Sequence, residues 1–411
     1  IAEGVAVFSH TITRPDELPE VLARAWAVFD SARPGPVHIE IPLDVIVENT
    51  RRLDAEVRRT EYPPGPDQNA IARAAELLRG ARDPFVVLGG GTQDAAAAAR
   101  ALVELLGAPT ILTINAKGVL PAGHALSLGS RLPHPPVLDA LARADVVLAI
   151  GTELGETDTL LFDAKLELAG KVVRIDIEQQ QLTRNIMPHL AICSDAGSAM
   201  RALCQALHGH VPADARARVQ ALRQAADAHL DDAYRGHGRL LQLIAETLPG
   251  VVIVGDSTQP VYGANFLYET DAPRRYFNSS TGYGTLGYAL SAALGAKLAR
   301  PDSAVVCVIG DGGLQFSIGE LATAVELGLP LPILLWNNRG YGEIRRYMTE
   351  REIPAIGVDI YTPDFIAIAG GYGCRALRAE NAGALRTALA EAAQAAAPTL
   401  IEIVEDSFEI P

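Results

Sequence analysis

Apolar positions recur along this chain in two patterns. Short continuous runs, such as Phe85–Leu88, Val146–Ile150, Val305–Ile309 and Leu331–Leu335, alternate with stretches where apolar residues return every three or four positions. A continuous run suits a strand buried on both faces of a parallel sheet, and the 3.6-residue period suits a helix lying on such a sheet. Over 68–206 the pattern predicts a helix over 69–80, the strand Phe85–Leu88, a helix over 94–106 and the strand Thr110–Thr113. The strands Val146–Ile150 and Val172–Asp176 follow. Over 240–411 it predicts the strand Val251–Val254, a helix over 287–299 and the strand Val305–Ile309. A helix over 316–328, the strand Leu331–Leu335, a helix over 363–370 and the strand Thr399–Val404 complete this unit. The fold class expected is α/β, with parallel sheets covered by helices on both faces. An Ala- and Arg-rich helical connection over 207–239 joins the two units. At the start, a helix over 16–31, the turn Arg33-Pro34-Gly35-Pro36 and the strand Val37–Ile41 are too little for a core. Residues 1–45 therefore read as the tail of a truncated domain, and 46–67, with Pro63-Pro64-Gly65-Pro66, as a linker.

Composition narrows the class. The chain has 411 residues, more than one ordinary core holds. No apolar run reaches the roughly 20 residues a membrane-crossing helix needs, so no membrane partner is expected. The opening Ile1-Ala2-Glu3-Gly4 lacks both a signal peptide's basic and apolar regions and an initiator Met, which suggests a cytoplasmic protein given in part. A net charge of −14 argues against nucleic acid as a partner. A small anion held by backbone N–H groups remains compatible with it. Cys193, Cys204, Cys307 and Cys374 form no C-x-x-C pair and read as buried, reduced thiols.

The candidate chemistry lies where two adjacent apolar runs end. Gly310-Asp311-Gly312 closes one and Trp336-Asn337-Asn338 the next, with Asp311 and Asn338 27 positions apart. Open α/β sheets bind ligands at these carboxyl ends. Magnesium takes oxygen ligands at roughly 2.0–2.1 Å and usually shares its shell with substrate phosphates. A carboxylate and an amide oxygen suit it. Gly312-Gly313 would let the chain approach a diphosphate, and a helix beginning just beyond would favour the anion. Alternatively the first segment is only a turn and Asn337-Asn338 only a helix cap.

Gly310-Asp311-Gly312 followed by Asn337-Asn338 resembles the G-D-G…N-N motif of thiamine diphosphate enzymes. The surrounding residues are similar to the acetolactate synthase and 2-oxo acid decarboxylase family. Ser280-Thr281-Gly282-Tyr283-Gly284-Thr285-Leu286-Gly287 resembles its S-G-G-L-G-T-M-G segment, and Arg33-Pro34-Gly35-Pro36-Val37-His38-Ile39-Glu40-Ile41-Pro42 the stretch closing its pyrimidine-binding domain. The resemblance implies the tail of that domain over 1–45, a Rossmann-like middle domain over 68–206 and a diphosphate- and Mg²⁺-binding domain over 240–411. It implies Mg²⁺ ligation by Asp311, Asn338 and the Gly340 carbonyl. Asp256, Ser257 and Thr258 would meet the diphosphate, together with Gly310, Gly312 and Gly313. Gly282, Gly284, Thr285 and Leu286 would lie along the aminopyrimidine, with the Leu286 side chain under the cofactor's bend or else merely packing the core. Tyr341, Gly342, Glu343 and Ile344 would border the reaction space.

Departures from the family pattern carry information too. Gly282-x-Gly284-x-x-Gly287 fits a dinucleotide fingerprint, but no clear strand leads into it and no acid stands about 20 residues on. Gly89-Gly90-Gly91 follows a middle-domain strand. However, Leu128–His134 and Thr152–Thr157 depart from the stretches of the FAD-binding synthases, so FAD is not expected. None of the acidic residues occupies the context of the family's catalytic Glu, which lies in the first domain. The resemblance thus implies a homodimer or homotetramer with a shared site, and an inactive chain when this stretch stands alone. Glu343 stands where synthases tend to have Met, and could recognise a cationic substrate tail or simply pair with Arg346 on a helix. The expected function is thiamine diphosphate- and Mg²⁺-dependent decarboxylation of a small-molecule 2-oxo acid, with or without carboligation. An acetolactate synthase is the alternative, and a non-catalytic diphosphate-binding or regulatory subunit the rival of another class.

Overall fold

The computed structural model describes residues 2–50, 63–212 and 214–409. Part of the stretch expected as a linker, 51–62, lies outside the described residues. Among the described residues, fourteen strands form three sheets, all parallel. Strands β1 (Phe8–Thr11) and β2 (Val37–Glu40) make a small pair beside the helix Leu18–Ser31, closing on Ile12, Val21 and Val45.

The first six-stranded sheet contains β3 (Pro84–Leu88), β4 (Thr110–Leu112), β5 (Ser127–Gly129), β6 (Val146–Ile150), β7 (Lys171–Asp176) and β8 (Leu190–Cys193), in spatial order β5-β4-β3-β6-β7-β8. The second contains β9 (Val252–Gly255), β10 (Tyr276–Asn278), β11 (Val305–Gly310), β12 (Pro332–Asn337), β13 (Arg375–Arg378) and β14 (Thr399–Val404), in order β10-β9-β11-β12-β14-β13. The chain runs outward from β9 to β10 and then returns to lay β11 on the other side of β9. Such a reversal parts the connecting loops and opens a crevice at the carboxyl ends of the strands.

Alternation along β11 shows why its apolar run is continuous. Val306 and Val308 pack with Leu241, Val261 and Leu389 on one face. Val305, Cys307 and Ile309 pack with Leu290, Leu321 and Phe365 on the other. Successive side chains of a strand point to opposite faces, so only a strand covered twice needs apolar residues at every position. All five are fully buried, each aliphatic one stabilising by about 1.5–3 kcal/mol.

Three expectations need correction. The helix expected over 316–328 is two helices, Asp311–Ser317 and Glu320–Glu326, and the first begins at Asp311 itself. Gly312 and Gly313 read as a turn because glycine disfavours helix, but both are buried in that first helical turn. A strand, β10, does precede the Gly282 segment. Cys193 is exposed and Cys204 half-buried, so only Cys307 and Cys374 are the buried thiols expected; all four are free.

Candidate active site

Three strand ends build the site. Past β9, Asp256, Ser257 and Thr258 lead into the helix Gln259–Leu267, whose Pro260 suits a first turn because it needs no amide donor. At the end of β11, Gly310 is extended and Asp311 starts the next helix. Past β12, Asn338 to Tyr341 turn into the helix Gly342–Glu350. First-turn N–H groups have no partner within their own helix and the helix dipole is positive there, so three helix starts make a cradle for an anion. They border a pocket of about 220 Å³ beside the crossing from β9 to β11.

Most of the residues singled out from the sequence line this pocket: Ser257, Thr258, Gly284, Leu286, Gly310 to Gly313, Asn338 and Gly340 to Ile344. Asp256, Gly282 and Thr285 do not. Gly282 and Thr285 are exposed. Asp256 is fully buried, and its carboxylate accepts from Ser257 N (2.9 Å) and Ala289 N (3.1 Å), with Gly287 and Tyr288 N–H groups adding to the cap. Burial raises its pKa and these donors oppose the rise. Asp256 is thus not part of the pocket lining, and it anchors the start of the helix Tyr288–Ala299.

Asp311 is 1% exposed and its Oδ2 accepts from Gly340 N at 2.8 Å. Burial raises its pKa, against backbone N–H groups that lower it. Its Oδ1 faces the Asn338 amide. One end of the Asn338 amide lies 3.2 Å from Asp311 Oδ1 and 2.8 Å from the Gly340 carbonyl; the structure places its oxygen there, although an NH₂ would satisfy both acceptors. Three acceptors with no donor between them repel unless a cation sits among them. Ligands about 2.1 Å from Mg²⁺, on adjacent octahedral corners, stand about 3 Å apart, and the two oxygen separations bracket that value. Gly312 matters here through packing, because a Cβ on it would meet the Tyr341 ring at 2.8 Å. Among the described residues no group of three or more His, Cys, Asp and Glu could hold a metal. A metal at this pocket would have to rely on an amide and a carbonyl beside one carboxylate.

Glu343 lines the pocket and pairs with Arg346, which also reaches Tyr234 Oη at 3.2 Å and Glu350 at 3.1 Å. The hydrogen bond that Arg346 donates to Glu343 leads the effects raising the Arg346 pKa. The pairing weighed from the sequence thus forms, and it fixes the carboxylate at the pocket wall. Each Glu343 oxygen takes one guanidinium N–H and keeps a further lone pair for another donor.

A larger cavity of about 510 Å³ opens at the reversal in the first sheet, between β3 and β6. Asp94, Glu153, Asp158, Asp176 and Asp195 line it, and its arginines, Arg33 and Arg274, are already paired with Glu153 and Asp94. Burial pushes Asp158 up to about 6. That lining repels a diphosphate, so the smaller pocket is the better candidate despite its size.

Comparison with known proteins decides the family. Residues 254–403 match the model of the thiamine pyrophosphate enzyme C-terminal TPP binding domain, and residues 71–203 that of the central domain. Over 407 residues the chain is 39% identical to a probable 2-ketoarginine decarboxylase, AruI, of Pseudomonas aeruginosa, covering 97% of this chain and 72% of that protein. The chain belongs to the thiamine pyrophosphate enzymes. It is also 29% identical over 423 residues to the acetolactate synthase isozyme 1 large subunit of Escherichia coli, covering all of this chain and 74% of that protein. In fold it matches the benzoylformate decarboxylase of Polynucleobacter necessarius, with a TM-score of 0.78 at 20% identity over 97% of this chain and 76% of that one.

In this thiamine pyrophosphate enzyme, two lining residues escaped the sequence reading, Gln259 and Tyr262. Thr258 followed by Gln259-Pro260 is a legible helix start, and a helix start after a strand could have pointed to Gln259. Tyr262 lies three residues on, on the same face of that helix, and carries no such signal. Burial pushes its phenol up to about 12.

Proposed function

We propose that this protein decarboxylates a 2-oxo acid with thiamine diphosphate and Mg²⁺, and that its substrate carries a cationic tail. The convergence of the Asp311, Asn338 and Gly340 oxygens supports the metal. Those three would hold it, and the N–H groups at the starts of Gln259–Leu267, Asp311–Ser317 and Gly342–Glu350 would hold the diphosphate. Thiamine diphosphate supplies, when bound, a carbon nucleophile and an electron sink for the loss of CO₂. Leu286, on the same pocket wall, would prop the cofactor, and Tyr262 and Tyr341 would restrict water. Glu343, held in place by Arg346, would accept hydrogen bonds from a guanidinium or ammonium tail. The similarity to a named 2-ketoarginine decarboxylase supports that choice of substrate, and the synthase relatives support carboligation as the second fate of the same decarboxylated unit.

Release of CO₂ from a panel of 2-oxo acids tests the reading. A guanidino 2-oxo acid should be turned over in preference to pyruvate. The Glu343→Gln variant should lose about tenfold in kcat/KM for the guanidino acid, the effect of about 1.4 kcal/mol from one charge-assisted contact, and little for pyruvate. Equal losses for both acids would remove Glu343 from substrate choice.

A further inference from the structure

We infer that Gln259, clamped by Trp336, is a positioning residue that turns the Asn338 amide so that its oxygen faces the metal. The inference rests on the metal site proposed above and assigns a role to two residues outside the ligand set. Trp336 is fully buried on β12, with His237 packed edge-on at 5.4 Å. Its indole N–H can only donate, and the group it reaches, at 3.2 Å, is Gln259 Oε1. That contact fixes which end of the Gln259 amide is oxygen. The same oxygen lies 2.9 Å from one end of the Asn338 amide. An oxygen that already accepts from tryptophan needs a donor there, so this end of Asn338 is the NH₂. The opposite end is then the oxygen facing Asp311 and Gly340.

The alternative orientation shows what the clamp prevents. Turned over, the Asn338 NH₂ would donate to the Gly340 carbonyl at 2.8 Å and to Asp311 at 3.2 Å. That arrangement satisfies both acceptors without a metal and closes the cation site. It also sets the Asn338 oxygen against Gln259 Oε1, oxygen to oxygen. Rotating Gln259 to relieve that contact would point its NH₂ at the tryptophan N–H. One donor-only side chain therefore holds two amides in register and keeps the site open for a cation. Gln259 is the first residue of its helix, with Pro260 after it, so its backbone is fixed at the pocket wall.

The test is Mg²⁺ affinity, read by thermal shift on protein saturated with thiamine diphosphate and repeated with Mn²⁺ by electron paramagnetic resonance of the free ion. Gln259→Leu should weaken both metals by about 10- to 100-fold, the usual effect of losing a partner that orients a ligand. Gln259→Glu keeps acceptor oxygens for Trp336 and Asn338 and should bind close to the wild-type protein. Asn338→Asp presents oxygen whichever way it turns, so in that background Gln259→Leu should change metal affinity little. Wild-type affinity in Gln259→Leu, or an equal loss in both backgrounds, would overturn the positioning role. Wild-type protein whose thiamine diphosphate binding ignores Mg²⁺ would instead overturn the reading of the site itself.

Discussion

At Asp311, a buried carboxylate accepts from the Gly340 N–H through one oxygen, and the other lies 3.2 Å from the Asn338 amide. A buried charge needs partners; backbone N–H groups supply some of them and the neighbouring oxygens none. Replacement by asparagine removes the charge and aims an NH₂ at an acceptor. Asp311→Asn should therefore weaken Mg²⁺-dependent binding of thiamine diphosphate by at least about 100-fold, the upper range for outer partners of a ligand. Titration monitored by intrinsic fluorescence would show it. The place of Asp311 and Asn338 at the pocket was legible in the sequence because both follow apolar runs that end as neighbouring strands. Gln259 was not, because its contribution depends on Trp336 and Asn338, which reach it only across the sheet.

The helix Tyr288–Ala299 shows how an element holds the site. Gly287 caps it at φ 83°, where a Cβ would also strike Phe316 Cβ at 2.7 Å. Asp256 supplies acceptors to the N–H groups that follow. Asp256→Asn turns an NH₂ toward those donors and should cost about 3 kcal/mol, seen as a lower urea midpoint; Gly287→Ala should cost about 1–3 kcal/mol from backbone strain alone. Both changes should displace the Gly284–Leu286 loop and weaken the cofactor before the protein unfolds. The elements readable in the sequence were the long central strands, where burial on both faces forces continuous apolar runs. The edge strands β5, β8, β10 and β13 have three or four residues each, and Ser127-Leu128-Gly129 or Arg375-Ala376-Leu377-Arg378 are hardly distinguishable from loop by composition. Pairing to a neighbour makes them strands, and no local pattern records it. The same holds for the helix at Asp311, where buried contacts override two glycines.

Across the molecule, the two large sheets are tied by buried polar contacts. Arg131 reaches Asp227 at 2.6 Å and Glu269 at 2.9 Å, and Arg223 reaches Glu269 at 2.7 Å. Lys117 follows β4, yet its ammonium donates to Tyr268 O at 2.6 Å. Burial pulls Lys117 down to about 7. An unfolded lysine binds its proton up to about 10.4, so between about 7 and 10 the unfolded chain holds more protons and stability rises with pH. Lys117→Met should flatten that rise, measured as the melting temperature from pH 7 to 10; an unchanged slope would assign the rise elsewhere. Tyr283, Phe316, Ile356 and Tyr361 are exposed, the first two in sequence next to segments that line the pocket, and large exposed apolar groups favour a docking surface. We propose a homodimer or larger homo-oligomer covering it, which light scattering should register as at least twice the 43.5 kDa of one chain.

Calorimetric titration of thiamine diphosphate into the protein, with Mg²⁺ and again with the metal chelated, addresses the three converging oxygens most directly. Binding should require Mg²⁺ and should be lost in Asp311→Asn. Equal affinity with and without the metal, or in the variant, would contradict a cation held between Asp311, Asn338 and Gly340.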